Sequence, residues 1–376
     1  MDVDERSYLD HAAGSPMLPE VLDAMTPSFI LPGNPNATHT AGRQARRMLE
    51  EARESIAAEV GAQPGEVVFT GGGTESNNLA LLGVAEGAGP RQLAISAVEH
   101  ASVAAVVERR DAVVRLPVDS DGRLDVAASR QLLSADTALV SLIWVNNETG
   151  VIQPVSAAAE LAHTFGALFH TDAVAALGHV DIDFAASGAD LLSLSAHKVG
   201  GPVGIGALLV RRGVRLRPVG FGGGQEARLR SGTVPVALAV GFAAAVRLAG
   251  DRLAAEAARL RLLRDRLIAA LDQLPQTRVN TVEPAGPAIV NATFAGTRAD
   301  DVLLLLDQAG IDASTGSACS AGVHQPSEVL LAMGRSQADA AASLRFSFGP
   351  TTRASDIERL IAVLPELVVR ARQAWG

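Results

Sequence analysis

The chain has 376 residues, more than a single hydrophobic core usually contains, so its length favours two domains. Its 32 lysines and arginines against 41 aspartates and glutamates give a net charge of −9, which argues against nucleic acid or an anionic membrane as the main partner. No uncharged apolar run reaches the roughly 18 residues of a membrane span, no secretory signal is visible, and the lone Cys319 excludes an intramolecular disulfide and favours the cytoplasm.

From about residue 65 to 211, short apolar runs alternate with alanine-rich segments. The runs predict buried strands at 66–70, 91–96, 112–117, 138–145, 167–172 and 191–197. An alanine-rich segment at 155–166 has the helical character expected between two of them. Apolar strands separated by helices are typical of a mainly parallel, helix-covered sheet, in which ligands bind beyond the carboxyl ends of the strands.

The pattern changes at residue 251. Leucines at helical spacing predict a long amphipathic helix over 251–274. Strand-like stretches at 291–296 and 343–349 and helices at 299–310 and 354–373 favour a smaller α+β domain, which a helix joins to the large one. We expect a large domain over 12–250 and a small domain over 1–11 and 251–376, with the small domain carrying the loop around Cys319.

Three features at predicted strand ends favour one cofactor site. The sequence TGGGTES, residues 70–76, lies between a strand and a helix, a setting that suits one phosphate group and equally an ordinary helix cap. Asp172 ends a strand, where a carboxylate caps a helix or stabilises a protonated ring nitrogen. Lys198 ends the next strand, either as a lysine reaching towards solvent or as an amine for covalent chemistry. Together and in this order they form the pattern of a pyridoxal-phosphate (PLP) site.

Four other residues become candidates beside such a site. His100 follows the 91–96 strand, where an imidazole could stack on the cofactor, and Asn147 follows the 138–145 strand, where its amide could bond the phenolic oxygen. Asn34 and Arg345 could hold a substrate carboxylate, which a guanidinium binds through two parallel hydrogen bonds. Taken singly, each is as readily a turn asparagine, a surface arginine or a satisfied histidine.

Cys319 lies in a stretch, 313–329, that is rich in Ser, Gly and Ala and has no bulky apolar residue before Val323. That composition predicts a mobile, exposed loop. Free cysteines are usually buried and inert, so a lone cysteine on such a loop is predicted to be a reactive nucleophile.

Nearly end to end, the sequence resembles the PLP-dependent cysteine desulfurases of the class V aminotransferase superfamily. The resemblance is carried by YLDHAAGSP, GNPNATHTAGRQAR, VVFTGGGTESNNLA, VEHASV, VNNETGVIQPV, HTDAVAALGHVDID, SLSAHKVGGPVGIG, GGGQEARLRSGT, STGSACSAGVHQPSEV and SLRFSFG. It implies an α/β fold of the type I PLP-dependent transferases, with a mainly parallel seven-stranded sheet and a smaller α+β domain. The spacing around Cys319 resembles that of the long-loop subgroup, which supplies sulfur for iron–sulfur clusters and tRNA thiolation.

The resemblance also implies a role for each candidate residue. Lys198 would carry PLP as a Schiff base and act as base at the substrate α-carbon, and Cys319 would take sulfur from L-cysteine as a persulfide, leaving alanine. Asn34 and Arg345 would orient the substrate carboxylate. The residues that would bind PLP are Gly73, Thr74, His100, Asn147, Asp172, Ser195, His197, Lys198 and, from the neighbouring subunit of a homodimer with shared sites, Thr233.

As partners the resemblance implies a sulfur-acceptor or scaffold protein, and neither nucleic acid nor a membrane. No resident metal is implied, although Cys319 could transiently ligate an iron–sulfur cluster. Two alternatives are left open: a specialised PLP-dependent C–S lyase or aminotransferase-like enzyme of the same fold, and a non-catalytic sulfur-assembly scaffold that keeps PLP only for folding.

The sequence departs from the family's pattern in two places. Ala175 stands where the family usually has a glutamine that bonds the phenolic oxygen of PLP, and AAGSP, with Gly14 and Ser15, replaces the usual AATTP. Losing one hydrogen bond to PLP would cost about 1 kcal/mol. Asn147 or a water molecule could offset that loss.

Overall fold

The computed structural model describes residues 6–88, 91–316 and 325–374. The strands in these ranges are β1 (Ser7–Tyr8), β2 (Val67–Thr70), β3 (Gln92–Ser96), β4 (Val113–Leu116), β5 (Thr137–Ile143), β6 (Leu168–Asp172), β7 (Leu191–Ser195), β8 (Gly206–Val210), β9 (Thr277–Val279), β10 (Ile289–Phe294), β11 (Ile311–Asp312) and β12 (Ser343–Ser347). The helices are α1 (Pro19–Phe29), α2 (Thr40–Glu59), α3 (Gly73–Ala88), α4 (Ala101–Val107), α5 (Val126–Arg130), α6 (Val155–Thr164), α7 (Phe184–Ser187), α8 (Val236–Leu271), α9 (Ala299–Gln308), α10 (Glu328–Ala332), α11 (Gln337–Ala341) and α12 (Ala354–Gln373).

A seven-stranded sheet of order β2-β8-β7-β6-β5-β3-β4 forms the centre of the larger part of the chain. The neighbours from β7 to β4 pair in parallel, whereas β8 pairs antiparallel with both β7 and β2. The prediction of an α/β fold with a mainly parallel seven-stranded sheet is therefore confirmed. Because β2 runs parallel to β7, the carboxyl ends of β2, β3, β5, β6 and β7 share one edge of the sheet.

The strand β8 was not among the predicted strands. The last strand predicted in this region ends at residue 197, whereas the chain turns back after it and adds an antiparallel strand. Its residues make a fully apolar run like those of its parallel neighbours, so its direction leaves no mark in the pattern.

The long helix α8 begins at Val236, fifteen residues before the start predicted from leucine spacing. Residues 241–246 are buried around the helix, which leaves no amphipathic stripe in its first part. Leucines 260, 263, 267 and 271 then pack into a second hydrophobic cluster with β10, β12 and α12. One helix thus contributes to both clusters.

That second cluster lies between α8, α9, α12 and the antiparallel sheet β12-β10-β9, and it includes Leu9 just after β1. The first, larger cluster draws its buried residues from Leu18 to Val246. The domain boundaries given above, 12–250 and 1–11 with 251–376, stay a prediction. Within the ranges that the structure covers, no helix has the length and hydropathy to span a bilayer.

Candidate active site

Lys198 lies just beyond the carboxyl end of β7, in the short turn Ala196–Lys198. Its Nζ donates to the carbonyl oxygens of Ala12 at 2.5 Å and Ala13 at 2.9 Å. Burial lowers the pKa of the amine to about 8, and the charge of Arg345 acts in the same direction. The amine therefore reaches its neutral, nucleophilic form from a pH of about 8, well below the range of an ordinary lysine.

Asp172 ends β6 and is only 3% exposed. Its Oδ1 accepts the backbone N–H of Val174 at 2.9 Å, and its Oδ2 accepts Asn77 Nδ2 at 2.7 Å. The same amide donates to the hydroxyl of Ser102 at 2.8 Å, which lies 2.7 Å from His100 Nδ1. A chain of hydrogen bonds thus joins the predicted aspartate and histidine.

Asn77 and Ser102, which form that chain, were not predicted. Asn77 follows Gly73 by four residues, so the start of α3 and this amide share one helix face, and that spacing is a usable sequence signal. Ser102 follows His100 by two residues, and nothing in its local sequence marks it.

His100 precedes α4 and caps it, since its Nδ1 accepts the backbone N–H of Ser102 at 3.0 Å. With Nδ1 as acceptor, a neutral ring carries its proton on Nε2. Burial lowers the pKa of the imidazole, and the charges of Lys198 and Arg345 add to this against the effect of Asp172. The ring is therefore neutral at physiological pH.

The glycine turn, residues 70–73, meets the lysine turn, Ala196–Lys198, at the start of α3. A Cβ on Gly73 would lie 2.7 Å from Val174 Cγ2 and 3.6 Å from Ser195 Cβ, so only a glycine fits. Gly72 has φ +147°, which glycine adopts at little cost. Ser195 Oγ lies 2.9 Å from His197 Nδ1. The first-turn N–H groups of a helix have no intrahelical acceptor, which suits an anion here.

Glu75 ties this turn to a later segment of the chain. Its Oε2 accepts the N–H of Gly71 at 2.6 Å, and its Oε1 accepts Arg230 Nε at 3.0 Å. The segment that ends at Thr233 is therefore fixed beside the turn through Arg230, while the side chain of Thr233 is exposed.

Arg345, on β12, lies against the same edge and is 4% exposed. Its Nη2 pairs with Asp10 Oδ1 at 2.7 Å, and its Nη1 donates to the carbonyl of Asn147 at 2.9 Å. Its charge acts on both Lys198 and His100, so these groups lie close together.

The model of the aminotransferase class-V family matches residues 7–360. The chain belongs to this family. It is 47% identical, over 98% of both chains, to the IscS-like cysteine desulfurase of Mycobacterium tuberculosis. It is 40% identical, over 97% of both, to cysteine desulfurase IscS 1 of Archaeoglobus fulgidus.

Solved structures of similar proteins agree. The NifS-like protein of Rickettsia africae superposes with a TM-score of 0.90 over 96% of this chain and 99% of that one, at 29% identity. The structure "SspA in complex with cysteine" has a TM-score of 0.81 at 34% identity, over 92% of this chain and all (100%) of that one. The family resemblance and the fold predicted from the sequence are both confirmed.

Class-V aminotransferases are PLP enzymes, and two buried polar atoms test whether this site fits a ligand. Arg345 Nε and Asn147 Oδ1 have no hydrogen-bond partner among the residues that the structure covers. Buried polar atoms are rarely left unpaired, so both fit groups that a ligand would supply. In the same part of the chain, no cluster of three histidine, cysteine or acidic side chains is placed to hold a metal ion.

Three of the predicted residues are exposed. Asn34 is exposed, and its Oδ1 accepts the N–H of Asn36 at 3.0 Å. Thr233 is exposed as well. Thr74 is exposed at the second position of α3, and its carbonyl accepts Asn78 Nδ2 at 2.8 Å. The roles of all three stay predictions.

Cys319 lies outside the described residues, but the residues that flank 317–324 are placed. A Cβ on Gly316 would lie 3.4 Å from Arg345 Cβ and 3.5 Å from Glu148 Cβ. On the other side, Ser327 donates its hydroxyl to Glu148 Oε2 at 2.5 Å. Both flanking residues are therefore close to Glu148, the neighbour of Asn147 in the chain.

The departures from the family's pattern have structural consequences. Ser15 donates its N–H to His197 O at 2.8 Å and its hydroxyl to Lys198 O at 3.0 Å, which fixes the lysine turn. A Cβ on Gly14 would meet His197 Cδ2 at 3.6 Å, an ordinary contact. Ala175 is half-buried against the larger hydrophobic cluster and offers no polar atom in its side chain.

Proposed function

We propose that the protein is a PLP-dependent cysteine desulfurase, which converts L-cysteine to L-alanine and collects the sulfur as a persulfide on Cys319 for transfer to an acceptor protein. The carrying observation is that two residues lie at the same edge of the sheet: Lys198, whose pKa is lowered, and the buried Arg345, whose Nε has no partner in the described chain. The relatives named cysteine desulfurases, at 38–47% identity over the full length, support the same reading.

The residues at the sheet edge suit PLP by their chemistry. Lys198 would hold its aldehyde carbon, Asp172 its pyridinium nitrogen, and Asn147 its phenolic oxygen, with His100 stacked on the ring. The start of α3 at Gly73 and Thr74, with Ser195 and His197, would hold the phosphate. Bound PLP supplies the electron sink that makes an α-proton removable and labilises the neighbouring Cβ–S bond.

The chain's own residues then have separate tasks. Arg345 binds the substrate carboxylate, assisted by Asn34, and fixes the face that the α-proton presents. Lys198, neutral above a pH of about 8, takes that proton at its Nζ. Asp172, buried and held by Asn77, stays in place to hold a cation. The thiolate of Cys319 attacks the substrate sulfur, so that the S–S bond of the persulfide forms as the Cβ–S bond of the substrate breaks. Protonation of the β-carbon, and return of a proton to the α-carbon, then leave alanine.

We also propose a cytoplasmic homodimer with shared sites. Phe221 and Ile30 are 86% and 82% exposed, and apolar side chains of this size at a surface suit an interface with a second copy. The exposure of Thr233 suits a role in the partner's phosphate site. The acceptor would be a protein of iron–sulfur cluster assembly or of a thiolation pathway.

Incubation with L-cysteine tests the function directly. We expect the purified protein to be yellow, to form alanine, and to carry a persulfide on Cys319 that can be alkylated and located by mass spectrometry. Cys319→Ser should keep the cofactor absorption near ~420 nm and lose the persulfide. Undiminished alanine formation by this variant would refute the sulfur-transfer role and favour the C–S lyase alternative.

A further inference from the structure

Asp10 is the carboxylate that pairs with Arg345, and no role was predicted for it from the sequence. Taking a guanidinium out of water is costly unless it is paired, and Arg345 is almost fully buried. The Asp10 Oδ1 to Arg345 Nη2 distance is 2.7 Å. Asp10 and the Asn147 carbonyl thus engage Nη2 and Nη1, each of which has a second N–H, and Nε has no partner among the described residues.

The backbone holds Asp10 in register with the strand that carries Arg345. Asp10 forms a parallel bridge to Ser347, the last residue of β12. Two further bonds fix the segment, from His11 N–H to Ser347 O at 3.3 Å and from Ala12 N–H to Ser347 Oγ at 2.8 Å. The carboxylate therefore has a fixed position relative to the guanidinium.

The charge of Asp10 also reaches the lysine. It raises the pKa of Lys198 against burial and against Arg345, which lower it. The next residues of the same segment, Ala12 and Ala13, accept hydrogen bonds from Lys198 Nζ. One short segment thus contacts both ends of the proposed substrate site.

We propose that Asp10 is a positioning residue for the substrate carboxylate: it fixes Arg345 through Nη2 so that the Nε edge faces the incoming α-carboxylate. The inference rests on the proposed function. A guanidinium presents five N–H groups in a rigid plane, so an anchor on one nitrogen orients the others. The opposing hypothesis is that Asp10 competes with the substrate for Arg345. Removal of Asp10 should weaken L-cysteine binding under the first hypothesis and tighten it under the second.

A binding comparison on the PLP-loaded enzyme separates them. The ligands are L-cysteine and cysteamine, which has the same thiol and amine without the carboxylate, and the readout is the spectral change of the bound cofactor. In Asp10→Ala the guanidinium of Arg345 is no longer held in place, so its charge-assisted bidentate contact with the substrate carboxylate is misaligned. We therefore expect this variant to bind L-cysteine about tenfold or more weakly and to change cysteamine binding by less than about twofold. Asp10→Asn keeps an acceptor for Nη2 and should restore most of the loss.

Asp312→Ala is the matched control, since Asp312 lies on β11, which pairs with β1, and binds Arg6 at 2.6 Å. It should change neither ligand's affinity. Equal losses for both ligands in Asp10→Ala, or tighter L-cysteine binding, would overturn the proposal. Should the wild-type enzyme bind L-cysteine but form no alanine, the proposed function fails while the binding comparison still decides the role of Asp10. L-serine and ethanolamine give the same carboxylate comparison if L-cysteine itself does not bind.

Discussion

At Lys198, the effects of burial and of Arg345 outweigh those of the two nearby carboxylates, Asp10 and Asp172, and lower the pKa to about 8. Only the neutral amine attacks an aldehyde. We therefore expect the rate at which the PLP-free protein captures PLP to rise with pH up to about 8 and to level off above it. Stopped-flow absorption across a pH series measures this rate.

Two variants make the capture experiment specific. Arg345→Gln removes the positive charge beside the amine and should move the midpoint to higher pH. Lys198→Arg should abolish covalent capture. A wild-type midpoint near the ordinary lysine value of 10.5 would show that burial does not control this amine.

Glu99, the neighbour of His100, is a second buried side chain whose pKa is shifted. It is 7% exposed, its Oε1 accepts Ser96 Oγ at 2.6 Å and Ile143 N–H at 2.8 Å, and its Oε2 has no partner in the described chain. Burial raises its pKa from 4.5 to about 7, and the charge of Asp172 adds to this. The folded state thus favours the protonated acid.

The sign of the pH effect follows from that raised pKa. The stabilisation from the protonated acid is complete below pH 4.5 and is lost as the pH rises through about 7. Relative to Glu99→Gln, the wild-type protein should lose up to roughly 3 kcal/mol of unfolding free energy across this range. Chemical denaturation at several pH values measures the slope, and the exposed Glu51→Gln should leave it unchanged. A difference between wild type and Glu99→Gln that is constant with pH would contradict the shift.

Strand-end residues such as Lys198, Asp172 and His100 are predictable because a parallel sheet brings the ends of its strands to one edge. Asp10 is not predictable in the same way. Its contact with Arg345 joins elements that are 335 positions apart in the chain, and local sequence carries no information about such a pair. Asn77 is an intermediate case, because its spacing from Gly73 places it on the helix face that starts at the glycine, whereas its contact with Asp172 is 95 positions away.

At the scale of elements, the glycine turn, residues 70–73, depends on β8, the strand that the apolar pattern did not reveal. Gly206 pairs with Thr70 on one side and with Ser195 on the other. A Cβ at Gly206 would lie 2.8 Å from the Gly72 backbone carbon and would also press on the Leu194 carbonyl. The strand therefore packs against the turn only when residue 206 is a glycine.

Gly206→Ala should weaken PLP binding and destabilise the protein by about 1–3 kcal/mol, because the added methyl group displaces backbone rather than a flexible side chain. Fluorescence titration with PLP and thermal unfolding measure the two effects. Gly65→Ala is the control, since a Cβ there meets nothing within 4 Å. Unchanged PLP affinity in Gly206→Ala would mean that the turn does not depend on this strand.

Only the second half of helix α8 could be predicted from its sequence pattern. Its second half was predicted from a leucine stripe, whereas its first half, buried around residues 241–246, has no polar face to reveal its period. The amphipathic helix α12, in contrast, was predicted at its observed position, Ala354–Gln373.

At the scale of the whole molecule, Thr233 is the residue whose proposed role needs a second copy of the chain. It is exposed, while Arg230, three residues earlier, is bound to Glu75 beside the glycine turn. An exposed threonine three residues from this contact can serve the proposed phosphate site of its own subunit or that of a neighbour. The two arrangements differ in how variants complement one another.

Heterodimers of Lys198→Ala and Thr233→Val chains distinguish these arrangements. If each site combines Lys198 of one subunit with Thr233 of the other, the heterodimer contains one fully wild-type site and one doubly altered site. Purified through two different affinity tags, it should bind PLP at about half the wild-type stoichiometry with wild-type affinity, as expected for a twofold-symmetric pair of shared sites. Lys198→Ala homodimers should form no covalent link, and Thr233→Val homodimers should bind PLP more weakly. If Thr233 serves its own subunit, the heterodimer's one lysine-containing site keeps the altered threonine, and its affinity will equal that of the Thr233→Val homodimer.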